Sequence, residues 1–153
     1  MKSNTFIKEN TLDTARKVVV NAPITATYYS QKYKYYFREI PEFQFNNGYE
    51  QDWTSTTNNG ASFKNDWDPV ELNELKRIIE SLNLIESIGP ITQAKLIVEN
   101  APVEAVGFYV MYGNYFTEEE RDIYEGMYTL SLDQLRQAIV DYENLQNVMN
   151  EIE

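Results

Sequence analysis

Two stretches of the chain decide its fold, namely ARKVVVNAPITATYYSQKYKYYFRE at residues 15–39 and AKLIVENAPVEAVGFYVMYGNYFTE at residues 94–118. They align without a gap, each residue of the second lying 79 positions after its counterpart in the first, and ten of the 25 positions are identical. The identities include the tripeptides Asn21-Ala22-Pro23 and Asn100-Ala101-Pro102. Composition alone does not account for so many identities in one ungapped register, so the sequence predicts a tandem duplication.

A second match joins residues 72–76, LNELK, to residues 132–136, LDQLR, which lie 60 positions later. The change of offset from 79 to 60 means that the first copy carries 19 more residues between the two shared segments. That extra material, over about residues 41–66, is rich in Asn, Thr and Gly, and we expect it to form a loop or an additional hairpin. The sequence therefore predicts two modules, at residues 1–86 and 87–153.

Each copy opens with a helical segment, from Leu12 to Val20 in the first and from Ile91 to Val98 in the second. Both segments are expected to end near the Asn-Ala-Pro tripeptide, because the residue before a proline is disfavoured in a helix. The aromatic stretch that follows predicts β-structure. In the second copy Tyr112-Gly113-Asn114 supplies turn residues, which predicts an antiparallel β-hairpin.

Each copy closes with an amphipathic helix. In the first, Asp68 is the predicted N-cap and Pro69 the predicted first helical residue, whereas Ser131 and Gln134 form a capping box in the second. Neither module alone offers a large core, so we expect the two to pack together about a pseudo-twofold axis. The predicted fold is α+β, with two tandem copies of a small helix, antiparallel β-hairpin and helix module.

The residue types that are missing exclude much of enzyme chemistry. The 153-residue chain contains no Cys and no His, which excludes a disulfide framework, a thiolate nucleophile, a finger-type zinc site and the usual general base. A carboxylate-x-lysine pattern of metal-dependent nucleases occurs at Glu74-Leu75-Lys76, but the predicted helix puts Leu75 on its buried face. We therefore expect a protein that is not an enzyme and that uses no cofactor and no metal.

The net charge of −11 is divided unequally along the chain. Residues 1–86 hold 10 Lys and Arg against 12 Asp and Glu, whereas residues 87–153 hold 3 against 12, a net of −9. Such acidity opposes direct binding to nucleic acid or anionic lipid, so a host protein with a basic surface is the expected partner. The N-terminus lacks the apolar core of a signal peptide, and no stretch is long and apolar enough to span a membrane, which predicts a cytoplasmic location.

An acidic run in the second copy is the main candidate for a partner-binding surface. Its carboxylates can imitate the spaced phosphates of nucleic acid and so occupy the groove of a nucleic-acid-binding protein. The candidate residues are Glu118, Glu119, Glu120, Asp122 and Glu125. The alternative is a solvated helix start, because Thr117 and Glu120 form a capping-box pattern and carboxylates favour the positive end of a helix dipole.

Basic residues alternate with aromatic rings over residues 28–38, YYSQKYKYYFR. This composition is typical of surfaces that stack single-stranded nucleic acid. In an uninterrupted strand, however, Tyr29, Tyr33 and Phe37 share one face while Lys32 and Lys34 take the other, which is ordinary alternation of core and solvent. Both interpretations stay open at the level of sequence.

The opening of the first copy resembles small phage-encoded proteins of unassigned function, in which an "APxGATHY" opening leads through Tyr- and Trp-rich strands to a "SLxDLRRI" helix. The matching segments are NAPITATYY at residues 21–29, Tyr35-Tyr36-Phe37, Trp53 and LNELKRI at residues 72–78. Thr25 and Tyr28 stand where that pattern has Gly and His, and no active site is carried over. The resemblance implies a phage or prophage accessory gene, a class that includes inhibitors of host defence such as anti-CRISPR proteins.

Two hypotheses of different kinds follow. The first is a mobile-element protein that inhibits a host defence protein by direct contact, with the acidic run as a mimic of nucleic acid. The second is a protein that sequesters a small ligand or nucleotide in an aromatic seam between the modules. Tyrosine rings suit either role because they bury much surface with little loss of rotamer entropy. The candidate rings are Tyr33, Tyr36, Tyr112 and Tyr115.

Overall fold

The computed structural model describes residues 1–39, 42–49, 52–55 and 67–151 of the chain. These residues form two compact units. Unit 1 comprises Met1–Ile79 together with Glu151, and unit 2 comprises Glu80–Asn150. The division falls inside a continuous helix, seven residues before the module boundary predicted at residue 86.

Unit 1 places a helix pair against an antiparallel sheet. Its elements are α1 (Ser3–Asn10), α2 (Leu12–Val20), β1 (Tyr28–Ser30), β2 (Tyr35–Arg38), β3 (Gln44–Asn46), β4 (Thr54–Ser55), β5 (Val70–Glu71) and the start of α3 (Leu72–Ile88). The strand order is β4-β3-β2-β1-β5, and every pair is antiparallel. Strands β3 and β4 lie in the segment over about residues 41–66 for which the sequence predicted a loop or an additional hairpin, and part of that segment is outside the described residues.

Unit 2 has the same kind of architecture with a smaller sheet. Its elements are the end of α3, α4 (Ile91–Glu99), β6 (Ala105–Tyr109), β7 (Asn114–Thr117), a 3-10 helix (Glu118–Tyr124), β8 (Thr129–Ser131) and α5 (Leu132–Met149). The strand order is β7-β6-β8, again antiparallel. The chain is therefore α+β with antiparallel sheets, as predicted. No helix within the described ranges has the length and apolarity needed to cross a lipid bilayer.

The helices α2 and α4 agree in length and in the way they end. Each has nine residues, and the bounds of α4 lie 79 positions after those of α2. Asn21 and Asn100 follow them with the same φ of −86°. The proline of each Asn-Ala-Pro accepts a hydrogen bond on its carbonyl, of 3.1 Å in both units, from the N–H of Ala26 or Ala105.

The strand registers of the two sheets also agree. Tyr29 of β1 pairs with Tyr36 on one side and Val70 on the other. The corresponding residue of β6 is Phe108, which pairs with Tyr115 and Leu130. The hairpin that the turn residues of the second copy predict is confirmed, and the first copy forms the same hairpin.

Each unit has its own buried core. In unit 1, Phe6 lies edge-on to Tyr29 at 6.2 Å between ring centroids, and Phe37 is fully buried. The core of unit 2 is aliphatic, and burial of each leucine side chain stabilises the fold by about 2 kcal/mol. Its buried members are Ile85, Ala94, Ile97, Ala105, Leu130, Leu132, Leu135 and Ala138. Beside this core the Ser81 hydroxyl donates a buried hydrogen bond of 2.6 Å to the Asp141 carboxylate.

The interpretation of residues 28–38 as one uninterrupted strand is wrong. The chain reverses at residues 31–34, where the Lys34 N–H donates to the Ser30 carbonyl at 2.7 Å and Lys34 takes a left-handed φ of 60°. Tyr33 consequently lies in the turn and is partly exposed, whereas Phe37 is buried. The turn contains no Gly or Asn, so no local pattern of residues predicts it.

The predicted start of the first closing helix is also wrong. Pro69 precedes strand β5, and α3 begins at Leu72 rather than at Pro69. Pairing of β5 with β1 decides this, and the Leu72 N–H donates to the Thr27 carbonyl at 2.9 Å. The predicted N-cap of α5 is confirmed, because the Ser131 hydroxyl oxygen accepts from the Gln134 N–H at 3.3 Å. The reciprocal bond of a full capping box, from the Gln134 side chain to the Ser131 backbone, is not formed between these two described residues.

Candidate functional site

The predicted acidic run forms the 3-10 helix that follows β7. Its start is a capping box, in which the Thr117 N–H donates to the Glu120 carboxylate at 3.0 Å. The Thr117 hydroxyl lies 3.1 Å from the same carboxylate oxygen. The interpretation as a helix start is thus confirmed for these two residues, and the Glu120 carboxylate is used within the chain.

Glu118 is also engaged within the run. Its two carboxylate oxygens accept from the Arg121 guanidinium at 2.9 and 2.6 Å, a two-pronged ion pair. These hydrogen bonds lower the pKa of Glu118 and raise the pKa of Arg121. By contrast, Glu119, Asp122 and Glu125 have no ion pair with any described residue. These three carboxylates are available to a basic partner.

Aromatic contacts attach the 3-10 helix to the β6–β7 hairpin. Tyr124 stacks on Phe116 with ring centroids 4.6 Å apart and planes 17° apart, and it also contacts Tyr109. The Phe116 ring lies directly over Gly107, where a side chain would leave no room for it. Tyr112 in the hairpin turn packs edge-on against Tyr109 at 5.5 Å. The turn and the acidic helix therefore form one surface.

That surface exposes apolar side chains as well as carboxylates. Tyr112 is 73% exposed and Met111 72% exposed in the hairpin turn. Ile123 of the 3-10 helix and Tyr128 after it are exposed to a similar degree. Solvent-facing Met and Tyr side chains beside acidic groups suit a protein partner that brings apolar and basic residues together.

Strand β7 lies at the edge of its sheet. Among the described strands it pairs with β6 alone, on the side of Gly107 and Phe108. The corresponding strand of unit 1, β2, is covered on both sides, because β3 pairs with it through Tyr36 and Asn46. Apart from the Thr117 N–H, which donates to Glu120, the outer edge of β7 therefore has no strand partner among the described residues, at a position where unit 1 carries a strand.

Two of the predicted tyrosines fasten the hairpin to a helix. The Tyr36 hydroxyl donates to the Val18 carbonyl, and the Tyr115 hydroxyl donates to the Ile97 carbonyl, each at 2.6 Å. Burial raises the pKa of both phenols. The other two candidates are more exposed: Tyr33 packs against Trp67 in unit 1, with ring centroids 4.4 Å apart and planes tilted by 41°, and Tyr112 lies in the turn of unit 2. The four predicted rings are therefore divided equally between the two units, and each is described only within its own unit.

A cavity of about 450 Å³ in unit 1 was missed by the sequence reasoning. It lies between α2, the β1–β2 hairpin and the turn after β3, and its wall includes Lys17, Gln31, Lys34 and Tyr49. The signal that points to it is the exchange of polar for apolar residues between the two copies. Among the described residues, no three carboxylates lie close enough together to hold a metal ion.

Comparison with known protein families, with curated proteins and with solved structures finds no match for this chain. The function is therefore argued from the geometry of the two units.

Proposed function

We propose that the chain is a binding protein without catalytic activity that captures a basic, extended segment of a host protein on unit 2. The open edge of β7 carries the proposal. A partner strand adds to that edge by backbone hydrogen bonds, which supply affinity, while side chains on either side supply specificity. Unit 1 shows how this position of the module accepts a strand, since β3 pairs there with β2.

The charge beside the edge favours a basic partner. Glu119, Asp122 and Glu125 follow directly after β7, and they have no ion pair among the described residues. The surrounding half of the chain has a net charge of −9 over residues 87–153. A field of this sign speeds the encounter with a basic protein and makes its rate sensitive to salt. Met111 and Tyr112 supply the apolar contacts.

The proposal includes the origin of the two units. We infer that they are diverged copies of one module, which the equal bounds of α2 and α4 and the equal strand registers support. One copy acquired β3 and β4 and covered its edge, and the other kept the edge open and became acidic. The resemblance of residues 21–80 to phage proteins supports a host protein as the partner that binds at this edge. It also supports an inhibitory role for that binding.

Affinity capture from a bacterial host lysate tests the proposal. The bait is compared with a variant that carries Glu119→Gln, Asp122→Asn and Glu125→Gln. The neutralised bait is expected to bind its partner several-fold more slowly, with a weaker dependence on salt, because surface charges act mainly on the encounter. The matched control removes three exposed carboxylates elsewhere, by Glu9→Gln, Glu80→Gln and Glu99→Gln.

Hydrogen exchange on the captured complex tests the edge itself. Within residues 114–116, the amides that do not already bond to β6 are expected to become protected when the partner is bound, since they acquire a strand partner. The Thr117 N–H already donates to Glu120 and is not diagnostic. A complex that protects other residues and leaves β7 unchanged would move the binding site away from this edge. Equal association rates for the neutralised bait and the control would reduce the acidic run to a solvated surface.

A further inference from the structure

The cavity of unit 1 is large enough to hold a small ligand. Its volume of about 450 Å³ falls within the range of about 300–1,000 Å³ that holds small molecules. It lies wholly within unit 1 and shares no residue with the β7 surface of unit 2. Binding of a ligand in this cavity is therefore independent of binding of a protein partner on unit 2.

The cavity is cationic in an acidic protein. Lys17 and Lys34 line it, and none of its lining residues is Asp or Glu. Neither ammonium group has a salt bridge with a described carboxylate. Two such cations in one wall favour an anion, and a phosphate group offers an oxygen to each of them.

Gln31 adds a requirement for a hydrogen-bond donor. Its Oε1 atom is buried, and no group in the described part of the chain donates to it. A buried acceptor without a donor is destabilising, and in native proteins nearly all such groups have a partner. A ligand that brings an N–H or O–H group to Gln31 removes this deficit.

Tyr49 provides an aromatic face at the cavity. Side-chain oxygens fix the turn that carries it: Asn46 accepts from the Gly48 N–H at 2.6 Å, and Asn47 accepts from the Tyr49 N–H at 2.9 Å. The Tyr49 side chain is 93% exposed although it belongs to the cavity wall. These bonds fix the backbone of the turn, and the exposed ring offers a face on which a planar group can stack, as in proteins that bind nucleobases.

Unit 2 shows that the fold of the module does not need these polar groups. The hairpin and the tyrosine-to-helix hydrogen bond are present in both units. The side chains that make the cavity polar are replaced in unit 2 by apolar residues or by glycine. The pairs, 79 positions apart, are Lys17 and Leu96, Gln31 and Val110, and Lys34 and Gly113. Lys34 stands in the turn with a left-handed φ of 60°, a conformation that Gly113 of unit 2 adopts without steric cost.

We propose that the cavity of unit 1 binds a nucleoside monophosphate. The phosphate contacts Lys17 and Lys34, and a sugar hydroxyl or base amino group donates to Gln31. The base stacks on Tyr49. A single molecule thereby supplies a partner to four groups of the cavity wall, which are the two lysine ammonium groups, the Gln31 Oε1 atom and the Tyr49 ring.

Calorimetric titration of the full-length protein with AMP, GMP, CMP and UMP tests the proposal, beside adenosine and inorganic phosphate. At least one nucleotide is expected to bind about tenfold or more tightly than either adenosine or phosphate, because each of these lacks one set of contacts. Phosphate that binds as tightly as every nucleotide would make this a simple anion site. Failure of all four nucleotides to bind at millimolar concentration would overturn the proposal.

Variants that carry the residues of unit 2 locate the site. K17L combined with K34G is expected to weaken nucleotide binding by about tenfold or more, since both charge-assisted contacts are lost. The fold is expected to be retained, because Leu96 and Gly113 occupy the same positions in unit 2. K76Q is the control, since it removes an exposed lysine outside the cavity and is expected to leave the affinity unchanged. Wild-type affinity in the double variant would contradict the proposal.

Amide chemical shifts give a second readout that does not depend on the variants. Addition of the tightest nucleotide is expected to shift the amides of Gly48 and Tyr49, which lie in the cavity wall. The amide of Gly113 in unit 2 serves as the internal control and is expected to stay unchanged. Shifts confined to residues outside the cavity would place the nucleotide elsewhere and overturn the assignment.

Discussion

Lys34 and Gly113 stand at the same place in the two hairpin turns, and both adopt a left-handed backbone, with φ of 60° and 71°. Glycine takes this conformation without steric cost, whereas a residue with a Cβ is disfavoured there. Lys34→Gly is therefore expected to raise the free energy of unfolding by about 0.5–1 kcal/mol. Urea denaturation at neutral pH measures the change.

The reciprocal substitution is the matched control. Gly113→Lys places a side chain in the left-handed region of unit 2, so it is expected to lower the free energy of unfolding by about 1 kcal/mol. If Lys34→Gly instead lowers the stability, Lys34 is not strained.

At the scale of residues, the sequence predicted which positions of the two units correspond better than it predicted what each side chain does. The ungapped alignment places Tyr36 opposite Tyr115, and the structure gives both phenols the same hydrogen bond. The sequence could not predict that Lys17 and Lys34 line one cavity. Lys17 lies on a helix, and Lys34 lies in a turn that lacks the Gly or Asn typical of turns. Their proximity depends on the packing of α2 against the hairpin, which no local pattern encodes.

At the scale of elements, the Tyr36 hydroxyl joins strand β2 to helix α2 through the Val18 carbonyl. Tyr36→Phe removes this hydrogen bond and leaves a carbonyl without its donor, so we expect a loss of about 1–2 kcal/mol in the free energy of unfolding. Tyr115→Phe makes the same change in unit 2 and allows the two joints to be compared. Denaturation at pH 7 measures both.

The same phenol makes the stability depend on alkaline pH. Burial, with smaller contributions from Tyr29 and Tyr49, raises the pKa of Tyr36 above its ordinary value of 10.0. The unfolded chain therefore ionises first, so the stabilisation is complete below pH 10 and is lost as the pH rises toward the folded pKa. In that window each such group reduces the free energy of unfolding by up to about 1.4 kcal/mol per pH unit. Denaturation between pH 8 and about pH 11 should show a shallower decline for Tyr36→Phe than for the wild type.

The sequence also predicted which helices form better than it predicted the residues at which they begin. Helix α5 begins where its N-cap indicates, at Leu132 after Ser131. Helix α3 does not, because strand β5 takes Val70 and Glu71 into the sheet ahead of it. A two-residue strand has no periodic pattern of its own, so only its pairing with β1 reveals it.

At the scale of the whole molecule, the division of charge could be read from the sequence, whereas the division of the chain could not be placed to the residue. The two compact units divide between Ile79 and Glu80, in the interior of α3. In a sequence, a domain boundary is visible as a break in hydrophobic periodicity, and α3 has no such break at Ile79 and Glu80. The predicted boundary at residue 86 lies in the same helix, close to its end at Ile88.

The open edge of β7 also governs how copies of the chain behave toward one another. An unpaired strand edge is a template for the same edge of a second molecule, and natural proteins guard such edges with like charges. The net charge of −9 over residues 87–153 repels a second copy, and salt screens that repulsion over a Debye length of about 8 Å at physiological ionic strength. Self-association measured by sedimentation velocity should therefore increase with salt, whereas capture of a basic partner should decrease. Homodimers that dissociate as salt is added would show that charge repulsion between the acidic halves does not prevent pairing of two β7 edges.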